Sequence, residues 1–165
     1  MKKIFLLKVL FVAVVISLTS QASKAQYMSA GTRTVDAGLY LPSGFTVFKA
    51  NLMYGVANNI SVGGQVELAS GTGSSEFGLN GRANYHFAQL MGLEDNVNIY
   101  GGVSIGKYFA EGLKDIGILG QIGGGYMFND KIGAHAEVRF GLSKGYALTV
   151  DGSQFGLGLT FKLGQ

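Results

Sequence analysis

The feature that most constrains this chain is an alternation with a period of two. It recurs in eight segments, at 32–41, 45–55, 60–69, 77–87, 97–107, 115–127, 132–142 and 154–163. The last reads FGLGLTFKL, with Phe155, Leu157, Leu159, Phe161 and Leu163 on one parity and Gly156, Gly158, Thr160 and Lys162 on the other. Strict alternation specifies β-strands with two unlike faces. Most segments have the roughly 9–11 residues that a tilted strand needs to cross a bilayer. Eight such strands, separated by turns and uninterrupted by a helical pattern, predict an all-β barrel or sandwich.

Alternation alone does not say which face is wet. The non-apolar parity decides it. A water-exposed sheet face carries long charged and polar side chains. Here that parity is dominated by glycine and short polar groups, among them Gly38, Ser61, Gly63, Asn80, Asn84, Gly102, Ser104, Gly123 and Gly125. Such residues suit a confined space, and the interior of an eight-stranded barrel is only wide enough for side chains to fill it. The apolar parity then faces outward, into lipid.

The charges on the inward parity form a near-matched set. Lys49, Arg82, Arg139 and Lys162 stand against Asp36, Glu67 and Glu137, with His135 beside them. Buried charges need partners. A two-residue turn between Pro42 and Ser43 predicts Asp36 directly opposite Lys49, and the third hairpin predicts Glu67 facing Arg82. These residues are expected to form a structural polar network in the lumen.

In an up-and-down barrel the even-numbered strands end on one side. Their ends carry Tyr54, Tyr85, Phe87, Tyr126, Phe128 and Phe161, all on the outward parity. This predicts an aromatic girdle at a membrane interface. Phe77, Phe109, Phe140 and Phe155 would gather at the other rim. Of the connections on the girdle side, GVANN and ND are short. AQLMGLED, before the fifth strand, is longer than the rule for the inner side of such barrels.

The chain opens MKKIFLLKVLFVAVVISLTSQASKA, with a basic start, an apolar run and small residues before Ala25. This is the layout of a secretory leader, and the apolar run falls short of the ~20 residues of a spanning helix. The expected division is a cleaved leader, 1–25, and a single barrel domain, 26–165. Four of the 13 basic residues (Lys2, Lys3, Lys8 and Lys24) and no acid lie in the leader, which leaves nine basic against ten acidic. The mature chain therefore offers no basic surface for nucleic acid. It contains no cysteine, so neither disulfides nor a lipoprotein-type anchor is expected.

Motifs for chemistry are sparse. GQIGGGY and GGVSIG lack the strand–loop–helix context of a nucleotide site. His86 and His135, the two histidines, have inward parity and read as members of a lumen network rather than as metal ligands. Lipid-modifying barrels built on Ser, His and an acid need their nucleophile facing lipid, and neither histidine faces that way. No catalysis and no cofactor is expected.

The leader, the eight strands and the acid–base lumen resemble small outer-membrane barrels of the OmpA/OmpX type. GVANNISVGGQVELAS, GLNGRANYHFAQLMGLEDNVNIYGGVSIG and GILGQIGGGYMFNDKIGAHAEVRFGL, within about 50–142, resemble a Bacteroidota family of small outer-membrane proteins of unknown function. The resemblance implies a fold and an address, without an activity. The ending at Gly164-Gln165 departs from the terminal aromatic common in such barrels. The expectation is a monomeric, eight-stranded, antiparallel, up-and-down transmembrane β-barrel in the bacterial outer membrane. Its partner is outer-membrane lipid, with room for a surface ligand or envelope protein. Its role is structural or surface-interacting, and the alternatives are a soluble periplasmic lipocalin-like ligand-binding barrel or a narrow pore.

Overall fold

The protein is seen in a computed structural model that describes residues 27–41, 45–71, 74–109, 116–142 and 153–164. The predicted leader and parts of the outer connections lie outside the described residues. Eight strands follow one another: β1 (Arg33–Tyr40), β2 (Phe45–Ala57), β3 (Ile60–Gly71), β4 (Ser74–His86), β5 (Val97–Phe109), β6 (Gly117–Met127), β7 (Ile132–Gly141) and β8 (Gln154–Gly164). Each pairs antiparallel with the next, and β8 pairs with β1, so the sheet closes and has no edge. The fold class is therefore an eight-stranded, antiparallel, up-and-down β-barrel.

The register fixes the barrel's size. From Gly156, pairing through Tyr40 and Val47 leads to Ala69 on β3. In the other direction, through Glu137, Gly123 and Tyr100, it leads to His86, whose N–H donates to the Asn59 carbonyl. One circuit thus displaces β3 from Asn59 to Ala69, a stagger of ten residues. With a rise of ~3.3 Å and a strand spacing of ~4.8 Å, that stagger gives a strand tilt of roughly 40° and a radius of roughly 8 Å.

The two parities separate cleanly. Leu52, Ile122 and Leu157 face outward and are 57–60% exposed, whereas Glu67, Glu137 and Arg139 face inward and are at most 1% exposed. The interior is not confined to small residues as predicted. Tyr40, Tyr100, Tyr108, Met53, Leu119 and Met127 are buried in it. Glycines make the room. Gly156, Gly123 and Gly78 are the direct cross-strand partners of Tyr40, Tyr100 and Tyr108. A Cβ at any of the three would overlap the facing ring, so large and small residues interdigitate across each pair.

The lower rim, where β1 begins and β8 ends, has two tight connections and one long one. Asn58 and Asn59 turn β2 into β3, beside a bulge between Gly55 and Ala57. At the β6–β7 turn, Asn129 Oδ1 accepts from the backbone N–H of Lys131 and Ile132, each at 2.9 Å, an Asx turn. The chain before β1 tucks beneath the lumen. Tyr27 and Met28 pack with Met53 and Met127, and the Tyr27 N–H donates to the Asp95 carbonyl at 2.8 Å.

Lumen network as the candidate functional site

Glu137 is the hub of the interior. Its cross-strand neighbours are Gly123 on β6 and Gly156 on β8, and beyond them in the same register line stand Tyr100 and Tyr40. The bare glycines let both phenols lean over to the carboxylate. The Tyr40 hydroxyl donates to Oε1 at 2.5 Å and the Tyr100 hydroxyl to Oε2 at 2.8 Å. Lys49 Nζ donates to Oε1 at 2.7 Å, and Arg82 grips both oxygens through Nη1 and Nη2. Groups on β1, β2, β4 and β5 thus converge on one carboxylate of β7. A fork-on-carboxylate pair with added neutral donors is the arrangement that offsets the desolvation of a buried charge.

A second pair lies above the first. Arg139 Nη1 donates to Glu67 Oε1, and Nη2 donates to Gln154 Oε1 at 2.8 Å. Gln65 also donates to Glu67 Oε1. The Tyr40 ring links the two pairs, with Arg139 at 4.1 Å and Lys49 at 4.3 Å from its centroid. Both are cation–π distances. Arg82 continues the network through Asn84, which accepts from Gln121, which in turn accepts from Ser104.

Two predicted pairings are corrected. Asp36 lies opposite Asn51, and Lys49 lies opposite Gly38, two residues away from the predicted register. The β1–β2 register is thus centred one residue later in the chain than a turn between Pro42 and Ser43 predicts. Glu67 lies opposite Gly78, and Arg82 opposite Gly63. The charges pair across the barrel instead, where confined long side chains meet tip to tip. Asp36 is half-buried, opposite Thr160 on its other side, and Lys162 is half-buried opposite Thr34.

The lower lumen is built from neutral hydrogen bonds. His86 Nδ1 pairs with Asn98 Oδ1 at 2.9 Å, and its Nε2 with Ser61 Oγ at 2.8 Å. His135 Nδ1 meets Thr160 Oγ1 at 3.1 Å, and that hydroxyl also meets the Tyr27 hydroxyl at 3.0 Å. Burial, reinforced by the charge of Asp36, holds the Tyr27 phenol well above its ordinary pKa, so it stays a neutral group. No group of three or more His, Cys, Asp or Glu side chains able to hold a metal ion occurs among the described residues. Sequence reasoning missed the network residues Gln65, Gln121 and Gln154, and with them Tyr40 and Tyr100. Both tyrosines sit on the inward parity with a glycine directly opposite, but without the register that signal cannot be read.

On the outside, Tyr54, Tyr85, Phe87, Tyr126, Phe128 and Phe161 all lie toward the lower rim. Tyr85 packs on Phe87 with ring centroids 4.9 Å apart, and Tyr126 on Phe128 at 6.0 Å. Toward the upper rim Phe77 stacks on Phe109 at 6.0 Å.

No family model and no curated protein matches the chain, and the resemblance of 50–142 to a Bacteroidota family finds no support. Solved structures do match. A designed transmembrane β-barrel is 11% identical, covering 82% of this chain and 98% of its own, with a TM-score of 0.59. The N-terminal β-barrel domain of Pseudomonas aeruginosa OprF is 15% identical, over 82% of this chain and 100% of its own, with a TM-score of 0.59. The outer membrane protein OprG from Pseudomonas aeruginosa is 15% identical, over 85% of this chain and 99% of its own, at 0.53. At these identities the likeness is one of fold: the chain has the closed eight-stranded architecture of transmembrane β-barrels.

Proposed function

We propose that the protein is a small integral outer-membrane barrel, exported by a leader cleaved after Ala25. Its role is structural or surface-interacting, and it has no catalytic site. The observation that carries this reading is the inversion of the two faces. Charged side chains fill the inside, while the outside presents Leu, Ile, Val and Phe at 37–69% exposure. Water would penalise such a surface on every strand, whereas a bilayer matches it. A soluble ligand-binding barrel would need the reverse, an apolar cavity within a polar wall. The ring of Tyr and Phe near the lower rim supplies an interfacial girdle. The packed network around Glu137 and Glu67 closes the lumen, which favours a plugged barrel over a free pore.

The test is fractionation of the host's envelope combined with gel mobility before and after boiling. We expect an outer-membrane band that migrates differently when boiled. A soluble periplasmic product without a heat-modifiable band overturns the reading. Steady single-channel conductance in a planar bilayer would overturn the plugged lumen while leaving the address intact.

A further inference from the structure

The long lower connection, 87–96, has no counterpart in the two tight turns beside it. Those turns present Asn58, Asn59, Asn129, Asp130 and Lys131. The long one presents Leu90 and Met91, 71% and 59% exposed, the most uncovered apolar pair on the lower rim. Its backbone is specific. The Met91 N–H donates to the Phe87 carbonyl at 3.1 Å, which makes a single helical turn. The Gly92 N–H then donates to Gln89 O at 3.1 Å and the Leu93 N–H to Ala88 O at 3.0 Å, with Gly92 at φ +65°. This is the Schellman closure, which needs a left-handed residue and joins the residue after it to the one five positions back. Ala88 and Leu93, the residues joined, turn toward the lumen mouth beside Tyr27 and Met28. Leu90 and Met91 occupy the crest between them, both exposed.

We propose that this crest is a lipid contact: Leu90 and Met91 insert into the interfacial layer of the leaflet at the lower rim. The proposal rests on the membrane reading above. Continuity favours lipid over another partner. The turn springs directly from Phe87, whose ring packs on Tyr85, so the crest prolongs the aromatic girdle by one turn. Two side chains are also far too small a patch for the roughly 800 Å² per partner of a standard protein interface. An amphipathic helix lying in the interface buries its apolar face roughly 5–10 Å into the boundary between headgroups and acyl chains, and that boundary is the layer proposed for Leu90 and Met91.

The chain contains no tryptophan, so one introduced indole reports alone. Leu90→Trp, Met91→Trp and, on the polar β6–β7 turn, Lys131→Trp are each reconstituted in phosphatidylcholine vesicles, and insertion is verified by the boiled-versus-unboiled shift on the same sample. Expected are blue-shifted emission for the first two and loss of most of it to lipids brominated near the carbonyl end of the chain. Bromines at the far end should quench less, and Lys131→Trp should stay accessible to aqueous iodide. The proposal is overturned if, in inserted protein, the Leu90→Trp and Met91→Trp indoles are reached by iodide as readily as that of Lys131→Trp. It is also overturned if shielding arises only on adding a periplasmic extract, which would make the occupant a protein. Absence of the gel shift in all three would instead sink the membrane reading itself.

Discussion

The inner and outer faces of the same eight strands are built on opposite principles. Outside, Leu157, Leu159 and Phe161 repeat one property, and none depends on a particular neighbour. Inside, Glu137 depends on Tyr40, Lys49, Arg82 and Tyr100 together. A hydropathy pattern tolerates exchange of one apolar residue for another. A network of buried charges has few equivalent solutions, because every unmatched member leaves a desolvated charge. The contrast shows why the wall can be read residue by residue and the lumen cannot.

Four substitutions test that contrast, each read as a shift in the unfolding midpoint of the heat-modifiable band in urea. Glu137→Gln leaves Lys49 and Arg82 without their carboxylate, and is expected to cost about 3–5 kcal/mol, the largest effect. A change under about 1 kcal/mol would mean that the buried charges contribute little to stability. Leu159→Arg, midway along the outer face of β8, should cost roughly 2–4 kcal/mol in a bilayer. Full tolerance would remove lipid from that face. Gly156→Val drives a side chain into the Tyr40 ring and should cost about 1–3 kcal/mol by overpacking, with the Tyr40–Glu137 bond weakened. Gly64→Val is the matched control. A Cβ there meets nothing within 4 Å, so the expected change is within about 1 kcal/mol and in the stabilising direction. Equal losses at Gly156 and Gly64 would show that glycine serves backbone freedom at both places, not room for a ring.

Much of the wall was legible in the alternation. All eight strands lie within a few residues of the predicted segments, because a period of two with turn residues between the runs leaves little choice. The inward placement of Asp36, Lys49, Glu67, Arg82, His135, Glu137, Arg139 and Lys162 follows from the same parity. What could not be read was which of them meet. Matching Asp36 with Lys49 places the hairpin centre between Pro42 and Ser43; a centre one residue later moves every partner by two without flipping a side chain. The cross-barrel contacts are further out of reach. They depend on the ten-residue stagger, which no single hairpin reveals. Tyr40 and Tyr100 fall outside an expectation of glycine and short polar groups in the lumen, because only the register shows that Gly156 and Gly123 face them and make the space.

The line Tyr100–Gly123–Glu137–Gly156–Tyr40 crosses the seam where β8 meets β1. Its last bond joins residues 97 positions apart in the chain. Contacts of such long separation form slowly, since loop closure must come first. The clasp over Gly156 can therefore lock only after the ends of the sheet have met in the right register. A seam slipped by two residues would keep every leucine pointing outward, yet it would strand Glu137 beside the wrong partners. We predict that Tyr40→Phe leaves early strand formation in detergent micelles unchanged and slows the appearance of the compact, heat-modifiable band. Equal rates of band formation would rule the clasp out as a check on closure.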